Sequence, residues 1–185
     1  MSVLVFCRAG LRIVKGFEKI VPCSEFIGTG KGFNATSQIV KDLAILSHRV
    51  NAILEFADPQ HYENVKALHK ELCERSSAYQ ALSAIDPLLY QGREILFNRI
   101  SGLHRDTQDP PLAWAILAAL GNFVGGDVYI PHLRLRMRLQ PGDIIILRGR
   151  VLPHEILMFT GQRISIPHFT HSSVWRTLHN LTVFV

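Results

Sequence analysis

Cysteine is scarce in this chain. Three residues, Cys7, Cys23 and Cys73, occur among 185, and none of them belongs to a C-x-x-C pair. An odd number of widely spaced cysteines argues against a disulfide framework, and the missing C-x-x-C argues against a cysteine-based zinc site. A reducing compartment is therefore expected.

Long apolar runs are also missing. No segment approaches the roughly 20 apolar residues that a membrane-spanning helix requires, and the N-terminal VLVF is too short for the core of a signal peptide. The Gly-rich GTGKGF at 28–33 lacks the pattern of a phosphate-binding loop and is interpreted as a connector. We therefore expect a soluble, intracellular protein with no membrane partner.

Charge is low as well. Charged residues make up 19% of the chain and apolar residues 48%, a composition that supports one globular domain rather than a disordered segment. The formal net charge of +5 permits a polyanionic partner but does not require one. A solvated surface with a slight excess of Lys and Arg explains the charge equally well.

Two amphipathic helices are predicted before Asp86. Apolar residues recur at spacings of three and four from about Ala35 to Phe56, which is the helical period. Asp58 and Pro59 then form a helix start, with Asp as the N-cap. The second helix runs to about residue 79, and four residues form its apolar face: Val65, Leu68, Leu72 and Tyr79.

The chain changes character after Asp86-Pro87. Seven short apolar stretches follow, separated by turns: REILFNRI, AWAILAALGNF, GGDVYI, RLRMRLQ, DIIILRG, PHEILMFTG and QRISIPHFTH. Turns are predicted at three places: Gly125–Gly126, Gln140–Asp143 and Thr160–Gly161.

Seven strands of this length predict a small β-sandwich or barrel with the helices packed outside it, an α+β fold. We expect a single domain over residues 1–185. Its helical support covers about 35–85, and its β core covers about 92–175.

The HRD triplet places His104 and Asp106 two positions apart. On a strand, residues i and i+2 face the same side, so both reach one metal ion. On a helix the same spacing separates them widely. Two His-x-Glu triplets in the predicted second helix are therefore expected to be surface polar residues rather than ligands: His61/Glu63 and His69/Glu71.

His154, at the start of another predicted strand, is the candidate third ligand. Two histidines and one carboxylate hold Fe(II) with three coordination positions open, which oxygenases use. Zinc also accepts such ligands, usually for hydrolysis. The alternative for His154 is a residue that merely follows a turn and faces solvent.

Arg163 lies in GQRISI, flanked by apolar residues. An arginine that faces the interior is costly unless it meets a carboxylate, and its planar guanidinium binds a carboxylate bidentately. Ser165 lies on the same strand face and offers a hydroxyl group to the same acid. An internal salt bridge to Asp127 or Asp143 is the alternative.

Together, a His-x-Asp pair, a later His and an Arg beyond it are typical of 2-oxoglutarate-dependent iron oxygenases. Four stretches carry a more specific resemblance: FNRISGLHRDTQD, GNFVGGDVYIP, LRMRLQPGDIIILRG and LPHEILMFTGQRISIPHFTH. They are similar to the TET/JBP family of Fe(II)- and 2-oxoglutarate-dependent dioxygenases. The chain most resembles the short fungal members that accompany transposons.

The resemblance implies a double-stranded β-helix (jelly-roll) core with flanking helices. It also implies an enzyme that uses Fe(II), 2-oxoglutarate and O₂ to oxidise a methyl group on a DNA base. The expected base is 5-methylcytosine, with N6-methyladenine and thymine as alternatives. The base is expected to flip out of the duplex in order to reach the metal. We also expect a nuclear location and a monomeric protein.

By position, the resemblance also assigns roles to individual residues. The iron ligands, which are the catalytic residues, are three: His104, Asp106 and His154. The co-substrate contacts are three: Arg99, Arg163 and Ser165. The contacts to the target base are three: Asp109, His171 and Asn34. For Asn34, a capping role at a helix N-terminus carries equal weight.

Three arginines alternate along LRLRMRL and are predicted to share one strand face, where they contact phosphates or face solvent: Arg134, Arg136 and Arg138. Three other functions stay open at this point. They are a 2-oxoglutarate oxygenase acting on protein or a small molecule, a zinc hydrolase, and an inactive nucleic-acid-binding relic.

Overall fold

The computed structural model describes residues 3–7, 10–14, 17–21 and 30–176. Contacts divide the chain into two compact units. Of the described residues, the first unit, called the β unit below, contains 3–5 and 93–170. The second, called the helical unit, contains 6–7, 10–14, 17–21, 30–92 and 171–176. The expectation of a single domain over the whole chain stays a prediction.

The described elements run from strands through helices to further strands. The first strands are β1 Val3–Cys7, β2 Gly10–Val14 and β3 Phe17–Val21. The helices are α1 Gly30–Asp42, α2 Ala44–Ala57, α3 Pro59–Arg75, α4 Ser77–Ser83 and, after the last strand, α5 Ser172–Arg176. None of the described helices has the length and apolarity needed to cross a membrane.

The strands that follow α4 confirm all seven predicted stretches. They are β4 Gly92–Phe97, β5 Ala115–Gly125, β6 Val128–Ile130, β7 Leu135–Met137, β8 Ile144–Leu147, β9 Glu155–Ile156 and β10 Phe159–Phe169.

Two sheets build the β unit. One has the strand order β1-β4-β10-β5-β8 and the other has the order β7-β6-β9. The long strands β5 and β10 pair antiparallel, from Gly125 opposite Phe159 to Ile116 opposite His168. Apolar side chains from both sheets form one buried cluster: Ala119, Phe123, Val128, Ile130, Leu139 and Ile156. This α+β arrangement is the predicted jelly-roll core.

The first helical segment differs from its prediction. The single helix expected at 35–56 is divided into α1 and α2, because Leu43 adopts φ −85° and ψ 2°, outside the helical region. The helix also begins earlier than predicted, since α1 starts at Gly30 inside the expected connector. Residues 28 and 29 lie outside the described part of the chain.

Helix α3 begins where predicted, but His61 on it is buried rather than exposed. Asp58 Oδ1 accepts the N–H of His61 at 2.9 Å, and Pro59 occupies the first turn. His61 is itself only 1% exposed, and its ring lies 6.0 Å from that of Trp175. The predicted surface position is therefore wrong for His61, because it shares the buried helix face with Val65 four residues on.

The predicted second helix ends earlier than expected. Ser76 is extended and caps α4 by accepting the N–H of Tyr79 at 3.3 Å. Tyr79 therefore belongs to α4, where its hydroxyl lies 3.0 Å from Nδ1 of the half-buried His69. The four predicted apolar residues are fully buried, as expected: Val65, Leu68, Leu72 and Tyr79.

Two of the three predicted turns are confirmed. An N–H···O bond of 3.0 Å closes Gln140–Asp143, and Gly125–Gly126 joins β5 to β6 with positive φ at both residues. The turn predicted at Thr160–Gly161 is wrong, because this pair lies inside β10. Gly161 has φ +97°, and a Cβ there would lie 2.3 Å from the Asn122 carbonyl oxygen. This glycine marks a close approach of two backbones.

The three arginines that alternate along LRLRMRL do not form the predicted strand face. Strand β7 covers only Leu135–Met137, and Arg134 adopts the left-handed conformation at φ 49°. Arg134 and Arg138 are exposed and lie outside the strand. Arg136 donates from Nε to Asp127 Oδ2 at 2.7 Å. The row of three cations on one strand is therefore wrong, although all three side chains reach solvent.

Candidate metal centre and co-substrate pocket

A short β-bridge holds two histidines opposite each other. His104 N donates to His154 O, and His154 N donates to His104 O, each at 3.0 Å. Directly opposed residues of an antiparallel bridge point to the same side, and the ring centroids lie 4.4 Å apart. Asp106 follows two positions later and donates its N–H to Gly149 O at 3.1 Å.

The three side chains converge as the His-x-Asp spacing predicts. One ligand atom from each of His104, Asp106 and His154 lies within 4.8 Å of the others. His104 Nε2 is 3.6 Å from Asp106 Oδ1, and His154 Nε2 is 4.0 Å from Oδ2. Donors that share one ion lie about 2 Å from it, so these separations fit a single metal. The helical His-x-Glu pairs belong to no such group among the described residues.

Backbone carbonyls orient both imidazole rings. His104 Nδ1 lies 2.8 Å from Gly102 O, and His154 Nδ1 lies 2.9 Å from Leu152 O. A carbonyl accepts only a protonated nitrogen, so Nδ1 carries the hydrogen and the lone pair stays on Nε2. Both Nε2 atoms are thus prepared as metal ligands.

The metal-facing side chains are reachable from solvent. Their exposed fractions are 41% for His104, 29% for Asp106 and 10% for His154. The solvent-facing alternative for His154 is therefore wrong. Two imidazole nitrogens and one carboxylate on one side form the set that non-haem Fe(II) prefers.

Gly149 leaves the space that the carboxylate fills. A Cβ at this buried position would lie 1.8 Å from Asp106 Oδ2 and 3.1 Å from His154 Cε1. Any side chain here therefore displaces a metal ligand. This role could not be predicted from the sequence, because a glycine needed for clearance cannot be told from a glycine in a turn.

We expect Gly149→Ala to weaken Fe(II) binding by about 10–100-fold, the usual effect of a change that disorients metal ligands. Anaerobic titration with Fe(II) measures the affinity. Gly102→Ala is the matched control, because a Cβ there meets nothing within 4 Å. In an Asp106→Ala background, Gly149→Ala should leave the melting temperature of the metal-free protein unchanged. Equal Fe(II) affinity in the two glycine variants would contradict this assignment.

Arg163 is buried in the β unit, on strand β10. Its side chain is 1% exposed, Nε donates to Ser165 Oγ at 3.0 Å, and Nη1 donates to Gly126 O at 2.5 Å. Nη2 is buried and has no hydrogen-bond partner. The guanidinium lies over the rings of Phe123 and Phe159, at 5.0 and 5.4 Å from their centroids.

The internal salt bridges considered for Arg163 are wrong. Asp127 binds Arg136 at 2.7 Å, and Asp143 Oδ2 accepts the N–H of Gln140 at 2.8 Å. Burial lowers the pKa of Arg163, and the field of Asp127 opposes that shift only in part. A buried cation with an unpartnered N–H group fits an incoming carboxylate, as 2-oxoglutarate offers.

Two residues that the sequence did not reveal shape this pocket. Asn98, at φ 50°, accepts the Arg163 N–H with Oδ1 at 2.8 Å and donates its own N–H to Arg163 O at 2.8 Å. At Gly126, φ is +74°, and a Cβ would lie 2.0 Å from Nη1 of Arg163. The Asn side chain tolerates the left-handed conformation, and the glycine permits the close approach of the guanidinium.

The remaining predicted residues of the β unit lie in the segment around the metal ligands. Asp109 is buried at 6% exposure, and its N–H donates to Asp106 O at 3.0 Å. Arg99 is exposed and follows β4 by two residues. Their roles at the base and the co-substrate stay predictions.

Two predicted base contacts belong to the helical unit. Asn34 is an exposed residue inside α1, four residues after its start, so the alternative capping role is wrong. His171 is half-buried and directly precedes α5, where its carbonyl accepts the Val174 N–H at 3.0 Å. Their contact with a base stays a prediction.

These features define a class of protein. A jelly-roll core carries two histidines and one carboxylate on one side, together with a buried arginine that lacks an acidic partner. This combination is that of an Fe(II)- and 2-oxoglutarate-dependent dioxygenase.

The family follows from a comparison of sequences. The Tet_JBP family model, described as the oxygenase domain of the 2OGFeDO superfamily, matches residues 19–172. The chain therefore belongs to the Tet_JBP family, as predicted, and carries an oxygenase domain of the 2OGFeDO superfamily. The fungal, transposon-associated type stays a prediction. No sequence among the curated proteins matches the chain.

One solved structure supports the fold. NgTET1 in complex with 5mC DNA matches with a TM-score of 0.65 at 17% sequence identity, and the match covers 84% of this chain and 56% of NgTET1. The chain thus spans little more than half the length of that protein. An oxidoreductase of the 2OG-Fe(II) oxygenase family from Burkholderia pseudomallei gives a TM-score of 0.37 at 20% identity, over 43% of each chain.

Proposed function

We propose that this chain oxidises a methyl group on a DNA base, with 5-methylcytosine as the first candidate and N6-methyladenine or thymine as alternatives. The observation that carries the proposal is a metal centre reachable from solvent, in a chain of the Tet_JBP family. A flipped base can approach such a centre from outside. NgTET1, which shares the fold, was solved with 5mC DNA.

Two groups of residues have separate roles, one in holding the metal and the other in holding the co-substrate. When bound, Fe(II) activates O₂ for a reaction in which 2-oxoglutarate loses CO₂ to form succinate and a substrate C–H becomes C–OH. His104, Asp106 and His154 would hold the metal. Arg163 would hold the distal carboxylate of the oxo-acid through its unpartnered Nη2, with Ser165 fixing the guanidinium. The rings of Phe123 and Phe159 exclude water from this pairing.

Charge supports a DNA substrate. The chain carries a net charge of +5, and Arg105, between the two ligands His104 and Asp106, is exposed. An exposed cation at the edge of an open site favours contact with phosphates. Within this proposal, Asp109, His171 and Asn34 read the polar edge of the base, and Arg99 contacts the co-substrate.

The test is mass spectrometry of nucleosides. Wild-type protein is incubated with Fe(II), 2-oxoglutarate and O₂, using separate duplexes that carry 5-methylcytosine, N6-methyladenine or no mark beyond thymine. We expect 5-hydroxymethylcytosine from the first duplex, and none of it from His154→Ala with the same DNA.

Two outcomes would contradict the proposal. Succinate release without any oxidised nucleoside would favour an oxygenase of protein or a small molecule. The absence of both succinate and oxidised nucleoside, with DNA retention equal in wild type and His104→Ala, would favour a nucleic-acid-binding relic.

Nuclear location and a monomeric state belong to the same proposal. Genomic DNA as substrate requires access to the nucleus in a cell that has one. Light scattering of the purified protein measures the oligomeric state, and a mass above one chain of 20.8 kDa would contradict it.

A further inference from the structure

The ion pair between Asp127 and Arg136 lies close in sequence to Gly126, which contacts Arg163. The carbonyl of Gly126 accepts from Arg163 Nη1, and the next residue in the chain is Asp127. The carboxylate of Asp127 is 12% exposed and binds Arg136 Nε at 2.7 Å, while Arg136 is 65% exposed. The Asp127 carboxylate is thus paired with an exposed cation, Arg136, at the surface of the β unit.

Asp127 is the acid whose charge acts on Arg163. Its field raises the pKa of Arg163, against the lowering by burial. Among the described residues, no carboxylate lies within salt-bridge distance of the Arg163 guanidinium. The nearby acid therefore pairs with Arg136 rather than with Arg163, and the Nη2 group of the buried cation remains available to an incoming anion.

We propose that Arg136 sets the affinity for 2-oxoglutarate by holding the Asp127 carboxylate away from Arg163. Without Arg136, a mostly buried carboxylate has lost its partner, and an unpaired buried charge is costly. The unpartnered Nη2 of Arg163 is the neighbouring donor that relieves this cost. Asp127 then competes with 2-oxoglutarate for the same guanidinium. The inference rests on co-substrate binding at Arg163 and not on DNA as the substrate.

The proposal predicts opposite effects for the two partners of the pair. Arg136→Ala should weaken 2-oxoglutarate binding by roughly tenfold, the scale of one hydrogen bond between charged groups. Asp127→Asn removes the competitor and should leave binding unchanged or tighter. The double variant should bind 2-oxoglutarate within about twofold of Asp127→Asn, because the neutral amide no longer needs Arg136. At saturating 2-oxoglutarate, kcat of Arg136→Ala should match the wild type, with the effect confined to KM.

Isothermal titration calorimetry with 2-oxoglutarate tests this on the Mn(II)-loaded protein without O₂, so neither turnover nor DNA enters the result. Arg138→Ala is the matched control, since it removes one exposed positive charge from the same segment. Arg136→Lys keeps the charge and should retain most of the affinity.

Two results overturn the proposal. Equal affinity in Arg136→Ala and Arg138→Ala shows that the ion pair does not affect the pocket. Weaker 2-oxoglutarate binding in Asp127→Asn, with affinity not restored in the double variant, shows that the Asp127–Arg136 pair only supports the local structure. Asp127→Asn keeps the proposal open to disproof even if Arg136→Ala does not fold, because weaker 2-oxoglutarate binding in this variant contradicts the removal of a competitor. If 2-oxoglutarate binds as predicted but no nucleoside is oxidised, this inference stands and the proposed DNA substrate fails.

Discussion

Asp106→Ala is expected to reduce succinate formation by about 10³-fold or more, because it removes one of three metal ligands and the only negative charge among them. Changes that merely disorient ligands cost 10–100-fold, so loss of a ligand costs more. The rate of succinate release at saturating Fe(II) and 2-oxoglutarate measures the effect.

The metal-free form of Asp106→Ala should fold as well as the wild type. The bond from the residue 106 N–H to Gly149 O is a backbone bond and survives the substitution. His132→Ala provides a control, since His132 is an exposed histidine of the same unit. Undiminished succinate release in Asp106→Ala, or an equal loss in His132→Ala, would disprove the assigned ligand.

Arg163→Met should raise the KM for 2-oxoglutarate by about 100-fold or more while leaving the melting temperature of the metal-free protein near that of the wild type. The loss of affinity follows from removing a charged, bidentate donor. The stability is retained because burial lowers the pKa of Arg163, which means that the folded state disfavours this charge. An apolar residue of similar length between Phe123 and Phe159 relieves that cost.

Arg138→Met controls for the loss of a positive charge in the same unit, and Arg163→Lys tests the geometry. Lysine keeps the charge but lacks the planar fork, so its KM should fall between those of Arg163→Met and the wild type. If Arg163→Met unfolds the metal-free protein, or binds 2-oxoglutarate normally, Arg163 is a structural residue.

The convergence of the three candidate ligands could be predicted because strands have a simple period. The spacing of His104 and Asp106 places both on one side of any extended segment, and only the partner strand remained to be chosen. His154 was found because it opens a strand. The sequence alone left the partner of Arg163 open, since Asp127 and Asp143 were equally available until their own bonds were seen.

Residues whose role depends on where atoms of distant residues lie could not be predicted from the sequence. Gly149 and Gly126 matter because they leave room for Asp106 and Arg163, whereas in the sequence a glycine indicates only a turn. The wrong turn prediction at Gly161 has the same cause, because this glycine permits a close approach of the β5 and β10 backbones. His61 was placed on the surface because a polar residue on a helix usually is exposed, whereas its face packs inward with Val65.

The central claim is that His104, Asp106 and His154 bind one Fe(II) ion. Anaerobic titration with Fe(II), followed by removal of unbound metal and elemental analysis, measures it without any assumption about substrate. The account predicts one iron per chain in the wild type and a loss of retained iron in His154→Ala. A wild-type chain that retains no iron, or a His154→Ala chain that retains a full equivalent, would contradict it.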